Sequence, residues 1–139
     1  MVCISLLLAG CVTTSGGPPG QLRRTLQQAA SAAFTVQTSF DQLRDGGTFP
    51  TTLSVTCDNM LEQAQNASKD ASTLSVDTRK QHRLRSRVAD AISTTSSLIV
   101  AVKDYISGTS VLSAAQLSDA LSKNRKNLAT LERATESTQ

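Results

Sequence analysis

Residues 112–131 read LSAAQLSDALSKNRKNLATL, and this stretch decides the fold. Ser113 and Gln116 stand three positions apart, which is the spacing of a capping box at the start of a helix. Leu112 and Leu117 flank the box and are placed to form a hydrophobic staple. The seam positions that follow recur at intervals of four and three residues. The stretch therefore predicts a capped helix that packs along one narrow stripe.

The same spacing occurs in three earlier segments, so the chain holds four stripes. Spacing that averages 3.5 residues is typical of helices that cross at about 20°. No segment alternates with period two, as a half-buried strand would. The stripes are Leu22, Leu26, Ala29, Ala33, Val36, Phe40 and Leu43; Leu53, Cys57, Met60, Ala64, Ala67, Ala71 and Leu74; Leu84, Val88, Ala91, Thr95, Leu98, Val102 and Tyr105; and Leu117, Leu121, Asn124, Leu128 and Leu131.

Short segments with turn chemistry separate the stripes. Residues 45–47, Asp-Gly-Gly, suit the end of the first helix, and Pro50 suits the first turn of the second. We expect Asp77 to cap the start of the third helix and Gly108 to end it. Connections this short favour antiparallel neighbours.

These patterns predict an all-α fold, an antiparallel up-down-up-down four-helix bundle with coiled-coil-like seams over residues 21–139. Aromatic residues make up only 3% of the chain and Trp is missing, so the core must be built from Leu, Val, Ile and Ala. The same stripes would also suit two long hairpins that complete their core by dimerising. A homo-oligomer is therefore the alternative.

Residues 8–11, Leu-Ala-Gly-Cys, follow a short apolar run and resemble the lipobox of bacterial lipoprotein signal peptides. The resemblance implies that the Cys11 sulfur receives a diacylglyceryl group and that a signal peptidase cuts just before it. Residues 1–10 would be the signal peptide, and 11–20 the lipidated cysteine with a flexible Gly/Pro-rich tether. Val12 stands where Asp signals inner-membrane retention. The resemblance thus implies an outer-membrane location, on the periplasmic face, in a Gram-negative host.

The residues of the chain carry no recognisable catalytic pattern. His82 is the only histidine, and it lies among basic residues rather than beside a carboxylate or a nucleophile. Carboxylates four positions apart, at Asp41 and Asp45 or at Asp58 and Glu62, are typical of solvated helix faces. Metal-ligand spacings and Gly-rich phosphate loops are also missing. We expect no enzyme activity, no cofactor and no metal.

Three polar or sulfur-bearing residues occupy seam positions that the predicted topology brings to one level, near Val36. A buried polar residue on a seam fixes helix register at some cost in stability, and we favour that interpretation. A ligand or redox site is the alternative. The predicted polar core layer consists of Cys57, Thr95 and Asn124.

A cluster of basic residues opens the third helix, where cations oppose the helix dipole. This basic cluster consists of Arg79, Lys80, Arg83, Arg85 and Arg87. The predicted topology places it at the same end as the tether, so it suits an anionic membrane surface or an acidic partner protein. A simple solvated face is the alternative. The net charge of only +3 and the lack of interleaved aromatic residues argue against nucleic acid.

The predicted bundle is electrically polarised, because Arg23 and Arg24 join the basic end while Asp41, Asp45 and Asp104 lie at the opposite end. A further apolar row lies outside the seam of helix three and could complete the core or receive a partner helix. That row consists of Ile92, Ile99 and Ile106.

Together these features suggest a membrane-anchored envelope lipoprotein that binds or positions another envelope protein without catalysing a reaction. Pilotins, the small helical lipoproteins that escort secretin subunits, look similar in size, anchoring and architecture. A phage or plasmid exclusion (immunity) lipoprotein is a further alternative.

Overall fold

Four helices account for most of residues 16–138, which are the residues that the computed structural model describes. Helix α1 spans Gly17–Arg44, α2 spans Pro50–Thr73, α3 spans Arg79–Ile106 and α4 spans Ala114–Glu136. Each helix packs against the next one along the chain, α4 returns to α1, and α1 and α3 also touch across the bundle. The predicted all-α four-helix bundle is confirmed, and a single chain completes its core. Within the described part of the chain, no helix is apolar enough over a sufficient length to cross a bilayer.

The start of α4 has the predicted capping box. Ser113 Oγ accepts a hydrogen bond from the backbone N–H of Gln116 at 3.2 Å, and Gln116 Oε1 accepts one from the N–H of Ser113 at 2.8 Å. Leu117 is buried and Leu112 packs against the same cluster, as the staple requires. Gly46 and Gly108 follow the ends of α1 and α3 with φ of 75°, a left-handed conformation that glycine adopts at little cost.

Two of the predicted boundaries differ from the structure. Thr78, rather than Asp77, caps α3: its side chain accepts from Gln81 N–H at 3.1 Å, and the Gln81 side chain reaches back to the Thr78 N–H. Helix α1 begins at Gly17, four residues before the expected start. Pro18 suits this first turn because proline has no backbone N–H, and the N–H groups of a first turn have no partner within the helix.

The bundle has two ends, which we name by the helix termini they contain. The near end holds the starts of α1 and α3 and the ends of α2 and α4; the far end holds the opposite termini. Buried side chains form one apolar cluster towards each end. The near cluster contains Leu22, Leu26, Ala29, Ala33, Ala67, Ala71, Leu84, Val88, Ala91, Ile92, Leu128 and Leu131, and the far cluster contains Val36, Phe40, Leu53, Cys57, Ala64, Ile99, Val102, Leu117 and Leu121.

The isoleucine row of α3 belongs mainly to the interior. Ile92 and Ile99 are fully buried, and Ile106 packs against the far cluster while still partly accessible. The seam residue Leu98 is only half-buried, so α3 turns its Ile99 face, rather than the Leu98 face, towards the centre. The row therefore completes the core of the monomer, and the alternative of a partner-helix groove along it is wrong.

Shortening a buried core residue should lower the stability substantially. Ile99→Ala and Leu128→Ala should each reduce the free energy of unfolding by about 2–5 kcal/mol, because each leaves a cavity. Leu98→Ala should cost less than Ile99→Ala, and the control Val100→Ala, at a position 42% exposed, should change it by less than about 0.5 kcal/mol. Urea denaturation followed by far-UV circular dichroism measures all four. Equal costs at 98 and 99 would contradict this core.

Candidate functional site

The predicted lipidation site, Cys11, and the lipobox at residues 8–11 lie outside the described residues. The described chain enters the bundle at Gly16, which caps the start of α1. Because α1 starts at the near end, everything that precedes it joins the molecule there. The near end is therefore the end that faces any anchor carried by the preceding residues.

The basic cluster lies at this same near end, in the first three turns of α3. Lys80, Arg83 and Arg87 are exposed and follow one another at helical spacing, so they share one face. They line a shallow groove that α3 forms with the last turn of α4, around Ala134 and Ser137. Basic side chains in this arrangement can contact an extended anionic surface together.

Arg85 differs from the other members of the basic cluster. Its Nη1 donates a hydrogen bond of 2.8 Å to the backbone oxygen of Leu74, the residue that caps the end of α2. A cation in this position satisfies a carbonyl that the helix leaves free and complements the helix dipole. The primary role of Arg85 is thus to join α3 to the end of α2.

Arg23 also forms ion pairs within the bundle. Its guanidinium contacts Glu136 at 2.9 Å and Glu132 at 3.7 Å, which links α1 to α4. Exposed ion pairs of this kind contribute at most about 1 kcal/mol. Arg24, its neighbour, is exposed and lies beside the groove between α1 and the end of α2. Arg24 therefore adds to the free positive charge of the near end more than Arg23 does.

The two ends of the bundle differ in charge. Each end is counted here as the nearest ten residues of every helix plus the loops at that end. The near end has a clear excess of basic residues, whereas the far end has an excess of acidic ones. At the near end lie Arg23, Arg24, Lys69, Arg79, Lys80, Arg83, Arg85, Arg87 and Arg133 against Asp70, Asp77, Glu132 and Glu136; at the far end lie Asp41, Asp45, Asp58, Asp104 and Asp119 against Arg44, Lys103 and Lys123.

A hydrogen-bonded polar pair lies between the two apolar clusters. Asn124 Nδ2 donates to Thr95 Oγ1 at 2.8 Å, and the Thr95 hydroxyl donates to the backbone oxygen of Ala91 at 3.1 Å. Both side chains are buried, and Asn124 Oδ1 has no hydrogen-bond partner among the described residues. Since the pair joins α3 to α4 at one level, it suits a device that fixes their register.

Cys57, the third member of the predicted polar layer, is buried within the far cluster. Within residues 16–138, Thr95 and Asn124 are joined by a hydrogen bond, and the Cys57 thiol forms none with either of them. Burial, with a smaller effect of Asp58, raises the pKa of the Cys57 thiol from 9.0 to about 11, although Lys103 opposes the shift. A thiol with so high a pKa is protonated at neutral pH and is a poor nucleophile or ligand.

The sequence patterns missed an aromatic contact on the surface between α1 and α4. The Arg125 guanidinium lies 4.7 Å from the centre of the Phe34 ring and donates to Gln37 Oε1 at 3.0 Å. Phe34 is outside the seam, so the spacing of apolar residues did not single it out. Such a contact contributes about 0.5–1 kcal/mol at exposed sites. It braces the outer surface of the α1–α4 pair.

The described residues contain no group of three or more His, Cys, Asp or Glu side chains that could hold a metal ion. Comparison of the chain with protein-family models, with curated proteins and with solved structures finds no match. The candidate functional features are therefore the basic near end and the acidic far end, together with the cysteine expected to carry a lipid.

The polar pair allows an asymmetric mutational test. Thr95→Val should lower the free energy of unfolding by about 1–3 kcal/mol, because it leaves Asn124 buried with no partner. Asn124→Leu should cost less or even stabilise, because it removes the unpaired Oδ1 while Thr95 keeps its bond to Ala91. Urea denaturation of both variants and of the double variant measures the coupling. A larger cost for Asn124→Leu than for Thr95→Val would contradict this account.

Proposed function

We propose that this protein is a lipid-anchored lipoprotein of the bacterial envelope that serves as a binding or scaffolding module for another envelope protein. The observation that carries the proposal is the lipobox-like Leu-Ala-Gly-Cys at residues 8–11, which five residues separate from the first helix of the bundle. The cysteine would take two acyl chains on one glyceryl group and hold the bundle at a membrane surface.

The orientation of the bundle supports the proposal. The chain enters at the near end, and that end carries the excess of basic residues. Anionic headgroups attract clustered Lys and Arg by about 1 kcal/mol for each residue close to the surface. Lys80, Arg83 and Arg87 would therefore reinforce the lipid anchor, and α1 would carry the far end away from the membrane.

Two features of the described residues support a binding role. Cys57, for which a ligand or redox role was the alternative, is buried with a raised pKa, and the buried polar pair joins α3 to α4. Charged groups are segregated on the surface instead, at the two ends where other molecules can reach them. A pilotin-like role, with a secretin subunit as the partner, fits the same size, anchor and architecture.

The lipid anchor is tested by one cysteine and two matched controls. Cys11→Ser should release the protein from the membrane fraction and abolish its labelling by a palmitate probe, because the acylated sulfur is gone. Cys3→Ser and Cys57→Ser remove the other two cysteines and should leave both the labelling and the fractionation unchanged. Membrane fractionation and probe labelling that persist in Cys11→Ser would overturn the proposal.

The basic near end is tested with vesicles. In a Cys11→Ser background, the domain should bind phosphatidylcholine vesicles containing phosphatidylglycerol, and binding should weaken as salt screens the charges. Changing Lys80, Arg83 and Arg87 to Gln should remove about 1 kcal/mol of binding free energy for each residue. Arg85 is left unchanged because it caps α2.

The matched control changes three exposed basic residues elsewhere to Gln, so that the net charge is the same. These residues are Arg44, Lys123 and Lys126. Co-sedimentation of the control should equal that of the parent. Equal losses in the two triple variants would show that net charge, and not the near end, determines binding.

A further inference from the structure

The far end exposes two large apolar side chains on its loops. Phe49, in the loop before α2, is 75% exposed, and Val111, in the loop before α4, is 97% exposed. They are the two most exposed large apolar side chains of the described chain. Burying side chains of this size is worth about 1.5–3 kcal/mol each, so their exposure leaves stabilisation unused in the isolated molecule.

The loop at the near end, in contrast, packs its apolar residues against the bundle. Residues 74–78 connect α2 to α3 and contain Leu74, which packs against the near cluster, and Val76, which is buried. A short loop of this chain can therefore fold its apolar residues inward. The outward position of Phe49 and Val111 is therefore specific to these two residues, since Leu112, next to Val111, also packs inward.

The far end also carries partly accessible apolar residues. The last turns of α1 and α3, the loop before α4 and the start of α4 contribute such residues, all of which pack against the far cluster. They are Leu43, Tyr105, Ile106, Leu112 and Ala114. Tyr105 is held by an edge-to-face contact with Phe40, with ring centres 5.4 Å apart. The far end thus has two exposed apolar side chains on its loops and, next to the far cluster, several partly accessible apolar residues.

The charge of the far end indicates what can bind there. Asp45 follows α1, Asp104 lies in the last turn of α3, and Asp119 lies near the start of α4; all three are exposed. The far end also exposes the basic Arg44 and Lys123, so its acidic excess is modest. Within residues 16–138, the one ion pair at this end joins Lys103 to Asp58. An end of the bundle that exposes both apolar side chains and aspartates without ion-pair partners is complementary to a surface that carries both basic and apolar residues.

We propose that the far end docks a basic amphipathic segment of a partner protein. Phe49 and Val111 insert between the apolar side chains of that segment, and Asp45 and Asp104 face its Lys or Arg residues. The inference rests on the proposed function, since it assigns the surface and the chemistry with which the anchored module holds its partner. The partner is reached on the side of the bundle opposite to the membrane.

Neither a second copy nor the membrane fits this surface as well. Copies anchored in the same membrane stand parallel, so the acidic far end of one does not meet the basic near end of another. Two far ends in contact would bring Asp45 and Asp104 against like charges. Anionic lipid would repel the same carboxylates.

The experiment measures binding of two fluorescent amphipathic helical peptides of equal length, one of Leu and Lys and one of Leu and Glu. The protein is the full chain carrying Cys11→Ser, which has no acyl group. Fluorescence anisotropy should show binding of the Lys peptide and, at the same concentrations, at least about tenfold weaker binding of the Glu peptide. Added salt should weaken the binding of the Lys peptide.

Two variants and a control locate the surface. Phe49→Ser with Val111→Ser, and separately Asp45→Asn with Asp104→Asn, should each weaken binding of the Lys peptide at least about tenfold. Serine is a favourable helix cap, so the change at position 49 should not harm α2. The control, Val55→Ser with Val100→Ser, removes exposed valines from the sides of α2 and α3 and should bind like the parent.

Three results would overturn the inference. The first is that the Lys and Glu peptides bind equally well. The second is that the four changes at the far end leave binding of the Lys peptide unaltered. The third is that sedimentation shows the parent to be a dimer that those changes dissociate. Each of these leaves the lipid anchor standing, because the anchor is tested by the membrane fractionation of Cys11→Ser. Conversely, membrane association that persists in that variant would refute the anchor without altering the peptide measurements.

Discussion

The rest of the structure depends on one constraint: four helices must bury their apolar seams in a single interior. The loops between them are too short to let neighbouring helices run parallel. The helix directions therefore alternate, so each end of the bundle collects two helix starts and two helix ends. As a result, the basic and acidic residues are separated between the two ends of the bundle and not between different helices. The basic residues that open α3 lie beside the entry of the chain, and the aspartates that close α1 and α3 lie together at the opposite end.

The features that the sequence predicted well are those set by local spacing. The 4-3 intervals predicted the four helices, and Ser113 with Gln116 predicted the start of α4. Thr78 and Gln81 have the same spacing, but Asp77 stands one position earlier and is an equally good capping residue by type. Only the backbone geometry distinguishes the two. Pro18 is similarly ambiguous, because proline suits both a tether and the first turn of a helix.

The features that the sequence did not reveal depend on how the helices are placed in space. A four-helix core needs a wider apolar face than a two-residue seam, so Ile92 and Ile99 are buried while Leu98 is partly exposed. The hydrogen bond from Arg85 to Leu74 joins two helices across a loop. The exposure of Phe49 and Val111 follows from the direction in which each loop turns, which spacing does not encode.

The early start of α1 would limit the reach of a bundle anchored at Cys11. With Cys11 as the anchor point, only residues 12–16 separate the lipid from the helix, and five residues span at most about 17 Å. A tether running to residue 20 would span at most about 30 Å. Helix α1, with 28 residues, adds a stiff arm of about 42 Å. With that anchor, the far end could lie no more than about 60 Å from the attachment point, so a partner docked there would have to extend to within that distance of the membrane.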